Sequence, residues 1–162
     1  MKRSKTSAGL LMFRRKNGEL EVLLVHPGGP YFQSKDDGTW TIPKGEAAED
    51  EDLLARARIE FEEELGFPPS GDWIDLGSVK QKGGKTVHAW AFVGDLRDDF
   101  KLVSNTFEME WPPRSGKVQR FPEVDRASFF SVEEARRKIN VAQNIFVDRL
   151  IEQLDLRESR GV

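Results

Sequence analysis

Residues 45–67 read GEAAEDEDLLARARIEFEEELGF, and this stretch carries the clearest structural signal in the chain. Apolar residues recur at helical spacing over residues 52–65, and acidic residues precede the first of them. Acidic residues suit the positive N-terminal end of a helix, while glycine suits the position after its last turn. Gly66 and then Pro68-Pro69 follow the periodic stretch, so the sequence predicts a helix over residues 52–65.

Three glutamates of this helix lie close together on its surface. Glu60, Glu63 and Glu64 occupy positions i, i+3 and i+4. At about 100° per residue, Glu60 and Glu63 project beside the apolar stripe and Glu64 falls at its edge. Like charges at this spacing repel, and a divalent cation would offset that repulsion. An acidic helix face bound only to water is the alternative that the triplet alone leaves open.

The spacing over the whole stretch is more specific than the triplet. The residues at fixed intervals are Gly45, Glu51, Glu60, Phe61, Glu63, Glu64, Gly66 and Phe67. This pattern resembles the Nudix box of the Nudix hydrolase family, G-x5-E-x7-R-E-U-x-E-E-x-G-U, in which U is a bulky apolar residue. Eight of its nine specified positions match within residues 45–67.

The resemblance implies an α/β fold, a Nudix-type α/β/α sandwich with a mixed sheet and a catalytic loop–helix–loop element. We expect residues 1–162 to form this single domain. The resemblance also implies an enzyme, a pyrophosphohydrolase that uses Mg²⁺ or Mn²⁺ to cleave a phosphoanhydride bond in a nucleoside diphosphate linked to another moiety. Carried over by position, the metal ligands would be Glu60, Glu63, Glu64 and the Gly45 carbonyl, with Glu60 also a candidate general base.

One position departs from the box, because Ile59 stands where the family has an arginine that helps to hold the carboxylates. A catalytically silent fold that binds nucleotides or regulates is therefore the alternative to an active enzyme. On the helical wheel Arg56 lies between Glu60 and Glu63. Our hypothesis is that Arg56 substitutes for the missing arginine as a catalytic-site residue, and the alternative is an ordinary surface arginine.

Three further segments bear on the substrate. Residues 9–15, 22–25 and 40–45 together resemble the diadenosine polyphosphate hydrolase branch, although Pro-Lys-Gly also occurs in other Nudix enzymes. The branch therefore stays open. Lys44, in the Pro-Lys-Gly segment, could bind substrate phosphate as a point charge or be a solvated loop lysine.

Aromatic side chains could stack on a nucleotide base, with core packing as the alternative for each. On the strand that carries Trp90, either face could be the buried one. The aromatic candidates are Tyr31, Phe32, Trp90, Phe107 and Trp111, and Trp90 is the one that we assign to substrate binding.

A long segment between the two halves of the chain carries further charged candidates. Arg114 and Lys117, in a Pro-Pro-Arg-Ser-Gly-Lys loop, could bind terminal phosphates of the substrate or be solvated loop charges. Some families use an additional downstream glutamate as a metal ligand or base. The possibilities are Glu108, Glu110 and Glu123, and the sequence does not choose among them.

The remaining elements are predicted from hydrophobic patterning and turn residues. Asn17-Gly18 and Gly83-Gly84 mark hairpin turns, and the latter with Lys85-Thr86 lacks the first glycine of a P-loop. The predicted strands or extended pieces are 7–13, 21–26, 40–43, 73–80, 86–93 and 124–130. Residues 100–122, before the last of these, are predicted to be irregular, and a last helix is predicted over 131–154.

Composition narrows the class of protein. The 162 residues have a net charge of −3, no cysteine and two histidines, so disulfides are excluded and a His-rich zinc site is not expected. Residues 46–64 hold nine acidic and two basic residues, which suits a hard cation beside an anionic substrate. We expect a cytoplasmic monomer or homodimer that binds a small nucleotide and neither DNA nor membrane, since no targeting signal, long apolar stretch or basic stripe is present.

Overall fold

The computed structural model describes residues 5–159 as a mixed β-sheet with helices on both faces. Residues 1–4, part of the N-terminal stretch in which we find no targeting signal, and residues 160–162 lie outside the described residues. The strands are β1 Thr6–Lys16, β2 Glu19–Pro27, β3 Lys44–Glu46, β4 Ile74–Lys80, β5 Thr86–Val93, β6 Thr106–Glu110, β7 Val118–Pro122 and β8 Val124–Ser131. The helices are α1 Leu53–Leu65, α2 Val132–Lys138, a 3₁₀ turn Val141–Gln143 and α3 Asn144–Ser159.

The centre of the sheet is the β1–β2 hairpin, whose two strands separate at the end away from their connecting turn. Strands run in the order β4-β5-β1-β2-β8, with β1 and β5 parallel. β1 pairs with β2 only near their connecting turn, from Phe13 opposite Val22 to Lys16 opposite Glu19. Farther from the turn, residues 41–46 lie between the two strands, since Thr41 bonds to Val25 and β3 pairs with β1. The predicted extended piece at 40–43 thus leads directly into the strand that holds Gly45.

Both faces of the sheet are covered. α1 packs on one face, where Phe61 contacts Phe92 in a cluster of buried apolar residues. α2 and α3 pack on the other face, where Phe146 and Leu150 lie in a second cluster. The alternating residues of β5 divide between the two clusters, so neither of its faces is the solvent face. This arrangement confirms the predicted α/β/α sandwich.

Helix α1 begins and ends as its local sequence predicts. Asp52 is the N-cap, and its side chain accepts a hydrogen bond from the Leu54 N–H at 3.1 Å. Gly66 has a φ of 84°, in the left-handed region that favours glycine, and its N–H donates to the Glu62 carbonyl at 2.8 Å. These caps fix which residues of α1 face the sheet.

The prediction of an irregular stretch over 100–122 is wrong from residue 106 onward. β6 and β7 form a separate antiparallel hairpin, which we call the arm, residues 106–122. Most arm residues are exposed, so the chain lacks the strong apolar alternation of a half-buried strand. Phe107 and Met109 do alternate with exposed residues, and this weak period of two was the available signal.

The single last helix predicted over 131–154 is also wrong, because the chain breaks at Ile139–Asn140. Ser131 caps α2 as predicted, but Ile139 is extended and pairs with Trp40. The buried Gln143 then accepts the Ile42 N–H at 3.0 Å, which ties the break to the inserted segment. These long-range contacts override the continuous helical pattern of the local sequence over residues 131–154.

His26 is fully buried, and both of its ring nitrogens face acceptors. Nδ1 lies 2.8 Å from Asp125 Oδ1, and Nε2 lies 2.7 Å from the Lys35 carbonyl. A carboxylate and a carbonyl only accept hydrogen bonds, so the His26 ring is the hydrogen-bond donor between these two segments. His26 thereby fastens the end of the loop that follows β2 to strand β8.

We expect His26→Leu to destabilise the protein by about 2–3 kcal/mol, because it leaves the Lys35 carbonyl and the Asp125 carboxylate without their donor. Thermal unfolding would show a midpoint roughly 4–10 °C lower. His88→Leu is the matched control, since His88 is partly exposed and its partners Asp75 and Ser78 are reached by water. Equal midpoint losses in the two variants would contradict this role for His26.

Candidate active site

The first part of the site is the contact between α1 and the inserted strand β3. Gly45 faces α1, and a Cβ built there would overlap the Glu60 carboxyl group. Only glycine therefore lets the helix carboxylate lie directly against this strand. The half-buried position of Glu60 raises its pKa by desolvation; the Arg56 hydrogen bond opposes the shift and the Glu63 charge adds to it. Glu63 itself is exposed.

Glu64 is the most deeply buried of the three helix glutamates. The wheel placed it at the edge of the apolar stripe, and in the fold it is 9 % exposed. It accepts the Lys44 backbone N–H, but within residues 5–159 its Oε2 is buried without any hydrogen-bond partner. Desolvation raises the pKa of Glu64 well above its usual range. The charges of Glu60 and Glu123 add to this shift, and the charge of Lys44 opposes it. A cation is the natural complement of such a group.

Arg56 joins the helix to the loop before it. Its Nε and Nη2 donate to the Glu51 carboxylate at 2.7–3.0 Å, and its Nη1 donates to Glu60 Oε1 at 3.2 Å. These contacts raise the pKa of Arg56 further, with Glu51 the largest cause. Among residues 5–159, Arg56 thus contacts Glu60 but forms no hydrogen bond or ion pair with Glu63, and its main partner is Glu51, which the helical wheel did not include.

Lys44 is half-buried beside the carboxylates. Burial lowers the pKa of its ammonium group, while the Glu64 charge opposes the shift and the Lys85 charge adds to it. No other side chain among residues 5–159 forms an ion pair or hydrogen bond with this ammonium group. A cation held without a partner next to a carboxylate cluster suits a phosphate oxygen.

The structure distinguishes among the three downstream glutamates. Glu108 pairs with Arg120 at 3.1 Å, and Glu110 accepts the Arg114 backbone N–H at 2.7 Å, both on the arm. Glu123 lies at the base of the arm, and its charge raises the pKa of both Glu60 and Glu64. Glu123 is therefore the downstream glutamate that the fold brings to the cluster.

The donor set suits a divalent cation. Among residues 5–159, no three acidic or histidine side chains already stand as a complete set of metal ligands. Mg²⁺ needs only one or two carboxylates, because waters and substrate phosphates supply its other ligands. Glu64 Oε2, which has no partner in the described part of the chain, and the Glu60 carboxyl group beside Gly45 provide oxygen atoms of that kind.

The other predicted substrate residues lie in two places, Trp90 on β5 and the two cations on the arm. Trp90 stacks on His88, with ring centroids 4.3 Å apart, and packs against the buried cluster beneath α1. Arg114 and Lys117 lie exposed in the turn of the arm. Phe107 is on the arm too, where it packs against Gly29. The fold thus places Lys44 near the glutamates of α1, whereas Arg114 and Lys117 lie separately in the turn of the arm.

Comparisons with known proteins agree on the family. The NUDIX domain family matches residues 3–150 of the chain. Similar solved structures include an Ap4A hydrolase of C. elegans in a binary complex (20 % identity, TM-score 0.65, 93 % of this chain and 98 % of that one). They also include the NUDIX domain of Shewanella oneidensis NrtR with ADP ribose (14 %, 0.64, 95 % and 90 %) and a MutT protein of Methanosarcina mazei Go1 (22 %, 0.60, 94 % and 96 %). No curated protein matches the chain.

The chain belongs to the NUDIX domain family. Family membership confirms the predicted fold, and the enzyme class that it supports is the Nudix pyrophosphohydrolase. Among residues 5–159, no helix combines the length and the apolar character needed to cross a membrane.

Proposed function

We propose that this protein is a divalent-cation-dependent hydrolase of a phosphoanhydride bond in a nucleoside diphosphate linked to another moiety. The observation that carries the proposal is the buried Oε2 of Glu64, which has no hydrogen-bond partner among residues 5–159, near the Glu60 carboxyl group that lies against Gly45. Glu60, Glu63, Glu64 and the Gly45 carbonyl would hold Mg²⁺ or Mn²⁺. The cation would supply positive charge that polarises the phosphoryl group.

The chain's own residues divide the remaining work. Glu60 accepts the proton of the attacking water as that water forms a bond to phosphorus and the anhydride P–O bond breaks. Lys44 pairs with a phosphate oxygen and orients the substrate. Arg56 is a positioning residue that holds Glu60 through one hydrogen bond and Glu51 through three. Glu123 adds a further carboxylate at the edge of the cluster.

We infer a nucleotide substrate of the dinucleoside polyphosphate kind, since residues 9–15, 22–25 and 40–45 resemble that branch. The test is turnover with Mg²⁺ on a panel of diadenosine polyphosphates, ADP-ribose, NADH, nucleoside triphosphates and diphosphoinositol phosphates. We expect one class to be cleaved well above the others. Binding of nucleotides without cleavage of any compound, with Mg²⁺ or Mn²⁺, would favour the catalytically silent alternative suggested by Ile59.

The positioning role of Arg56 predicts how its replacement changes the Mg²⁺ dependence of turnover. We expect Arg56→Ala to raise the Mg²⁺ concentration for half-maximal turnover about 10- to 100-fold, because Glu60 loses the group that holds it. Arg56→Lys should recover little, since lysine lacks the planar fork that contacts Glu51. Arg58→Ala is the matched control on the same helix, where Arg58 lies over the Trp73 ring instead. Unchanged metal dependence in Arg56→Ala would contradict the positioning role.

A further inference from the structure

The arm and the loop beside it form one projecting unit, which we call the protrusion, residues 28–34 and 106–122. A Cβ on Gly29 would come within 2.8 Å of the Phe107 ring, and the Gly28 N–H donates to the Glu123 carbonyl at 2.9 Å. Farther out, the rings of Tyr31 and Trp111 meet edge-on at 5.2 Å. A two-stranded hairpin alone is marginally stable, so these contacts hold the arm in place.

The tip of the arm holds Arg114 in an unfavourable backbone conformation. Its φ is 61°, in the left-handed region, and its N–H is fixed by the Glu110 carboxylate. The turn is closed by the Trp111 N–H, which donates to the Lys117 carbonyl at 2.9 Å. Glycine would satisfy this position without strain. Strain retained at such a position points to a use for the side chain that it presents.

The cations at the tip have no partners in the described part of the chain. Within residues 5–159, neither the Arg114 guanidinium nor the Lys117 ammonium forms an ion pair or a side-chain hydrogen bond, whereas Arg120 pairs with Glu108 at 3.1 Å. Tyr31, on the protrusion, is 56 % exposed. An exposed aromatic ring and cations without partners among residues 5–159, on one protrusion, are the chemistry that binds a nucleotide, through its base and its phosphate.

The protrusion starts at the carboxylate cluster and ends well beyond it. Glu123 at its base is near enough for its charge to raise the pKa of Glu60 and Glu64. β7 has five residues, and at about 3.3 Å per residue the tip lies roughly 17 Å from that base. A substrate that ends near the cleaved anhydride cannot reach Arg114, so only a substrate with a second unit can.

We propose that the protrusion binds the second nucleotide of a dinucleoside polyphosphate, with Arg114 contacting its phosphate chain and Tyr31 available to its base. This inference rests on the proposed function for the position of the cleaved bond. It assigns the arm to substrate selection, since a mononucleotide fills only the carboxylate end of the site.

The test compares two ligands by calorimetry in a Glu63→Gln background, which blocks turnover. Diadenosine tetraphosphate is long enough to reach the tip, and ADP is the short reference. We expect Arg114→Gly to raise the ratio of the two dissociation constants, long over short, about tenfold or more through loss of a charge-assisted contact. Its thermal midpoint should not fall, because glycine relieves the strained φ. Arg120→Ala, on the same arm, should leave the ratio unchanged.

The binding ratio separates this proposal from the proposed function. An unchanged ratio in Arg114→Gly, or the same rise in Arg120→Ala, overturns the role of the protrusion even where the wild type hydrolyses its substrate. A wild type that binds the long ligand no more tightly than ADP also overturns it. A ratio that depends on Arg114 in a protein without turnover supports the protrusion and contradicts only the hydrolase.

Discussion

Glu64→Gln is expected to make the protein more stable and nearly inactive at the same time. Burial and the charge of Glu60 raise the pKa of Glu64, so folding at neutral pH either buries a negative charge or takes up a proton. Both cost free energy, and glutamine avoids both. We expect a gain of about 1 kcal/mol, or roughly 2–4 °C in the thermal midpoint measured with EDTA.

Turnover should fall on the order of 100-fold or more in the same variant, because a cation ligand worth several kcal/mol is lost. Added Mg²⁺ should then stabilise the wild type more than Glu64→Gln. Glu62→Gln is the control, since Glu62 is exposed on the same helix and should change neither property. A Glu64→Gln protein that is less stable than the wild type in EDTA would show that the carboxylate is satisfied by the fold itself.

Gly45→Ala is expected to reduce turnover about 100-fold with a smaller effect on folding. The new methyl group would occupy the position of the Glu60 carboxyl group and force that side chain away from β3. Displacement of about 1 Å at a catalytic group is enough for such a loss. The measurement is kcat in saturating Mg²⁺, together with the thermal midpoint.

The neighbouring residue of the same strand supplies the control for Gly45. Glu46 is exposed, and within residues 5–159 its ion pair is a 3.9 Å contact with the exposed Lys5, so Glu46→Ala should keep near-normal turnover. Normal turnover in Gly45→Ala would contradict the close packing of Glu60 on β3. Equal losses in both variants would show that the strand tolerates no change at either position, and would contradict a special role for the missing side chain at Gly45.

Local rules account for the parts of the site that lie within one helix. The caps at Asp52 and Gly66 and the common face of Glu60 and Glu63 follow from residues a few positions apart. Resemblance to the Nudix box then supplied the roles of these residues. The helical wheel placed Glu64 at the edge of the apolar stripe, but it did not predict that packing on the sheet would bury this side chain.

Contacts between distant segments could not be predicted in this way. Glu51 lies outside the helix, so no wheel could pair it with Arg56. Glu123 reaches the cluster only because the arm is a hairpin, and the prediction of an irregular loop hid this. His26 meets Asp125 across two neighbouring strands, which the sequence also does not show.

The central claim is that the helix carboxylates, through a divalent cation, carry out phosphoanhydride hydrolysis. Turnover of the best panel substrate by Glu63→Gln and Glu62→Gln tests it most directly, since these adjacent glutamates are both exposed and differ in the face of α1 that they occupy. We predict that Glu63→Gln loses turnover about 100-fold or more in Mg²⁺, that Glu62→Gln resembles the wild type, and that EDTA stops all three proteins. Equal turnover in the two variants, or hydrolysis that persists in EDTA, would contradict the account.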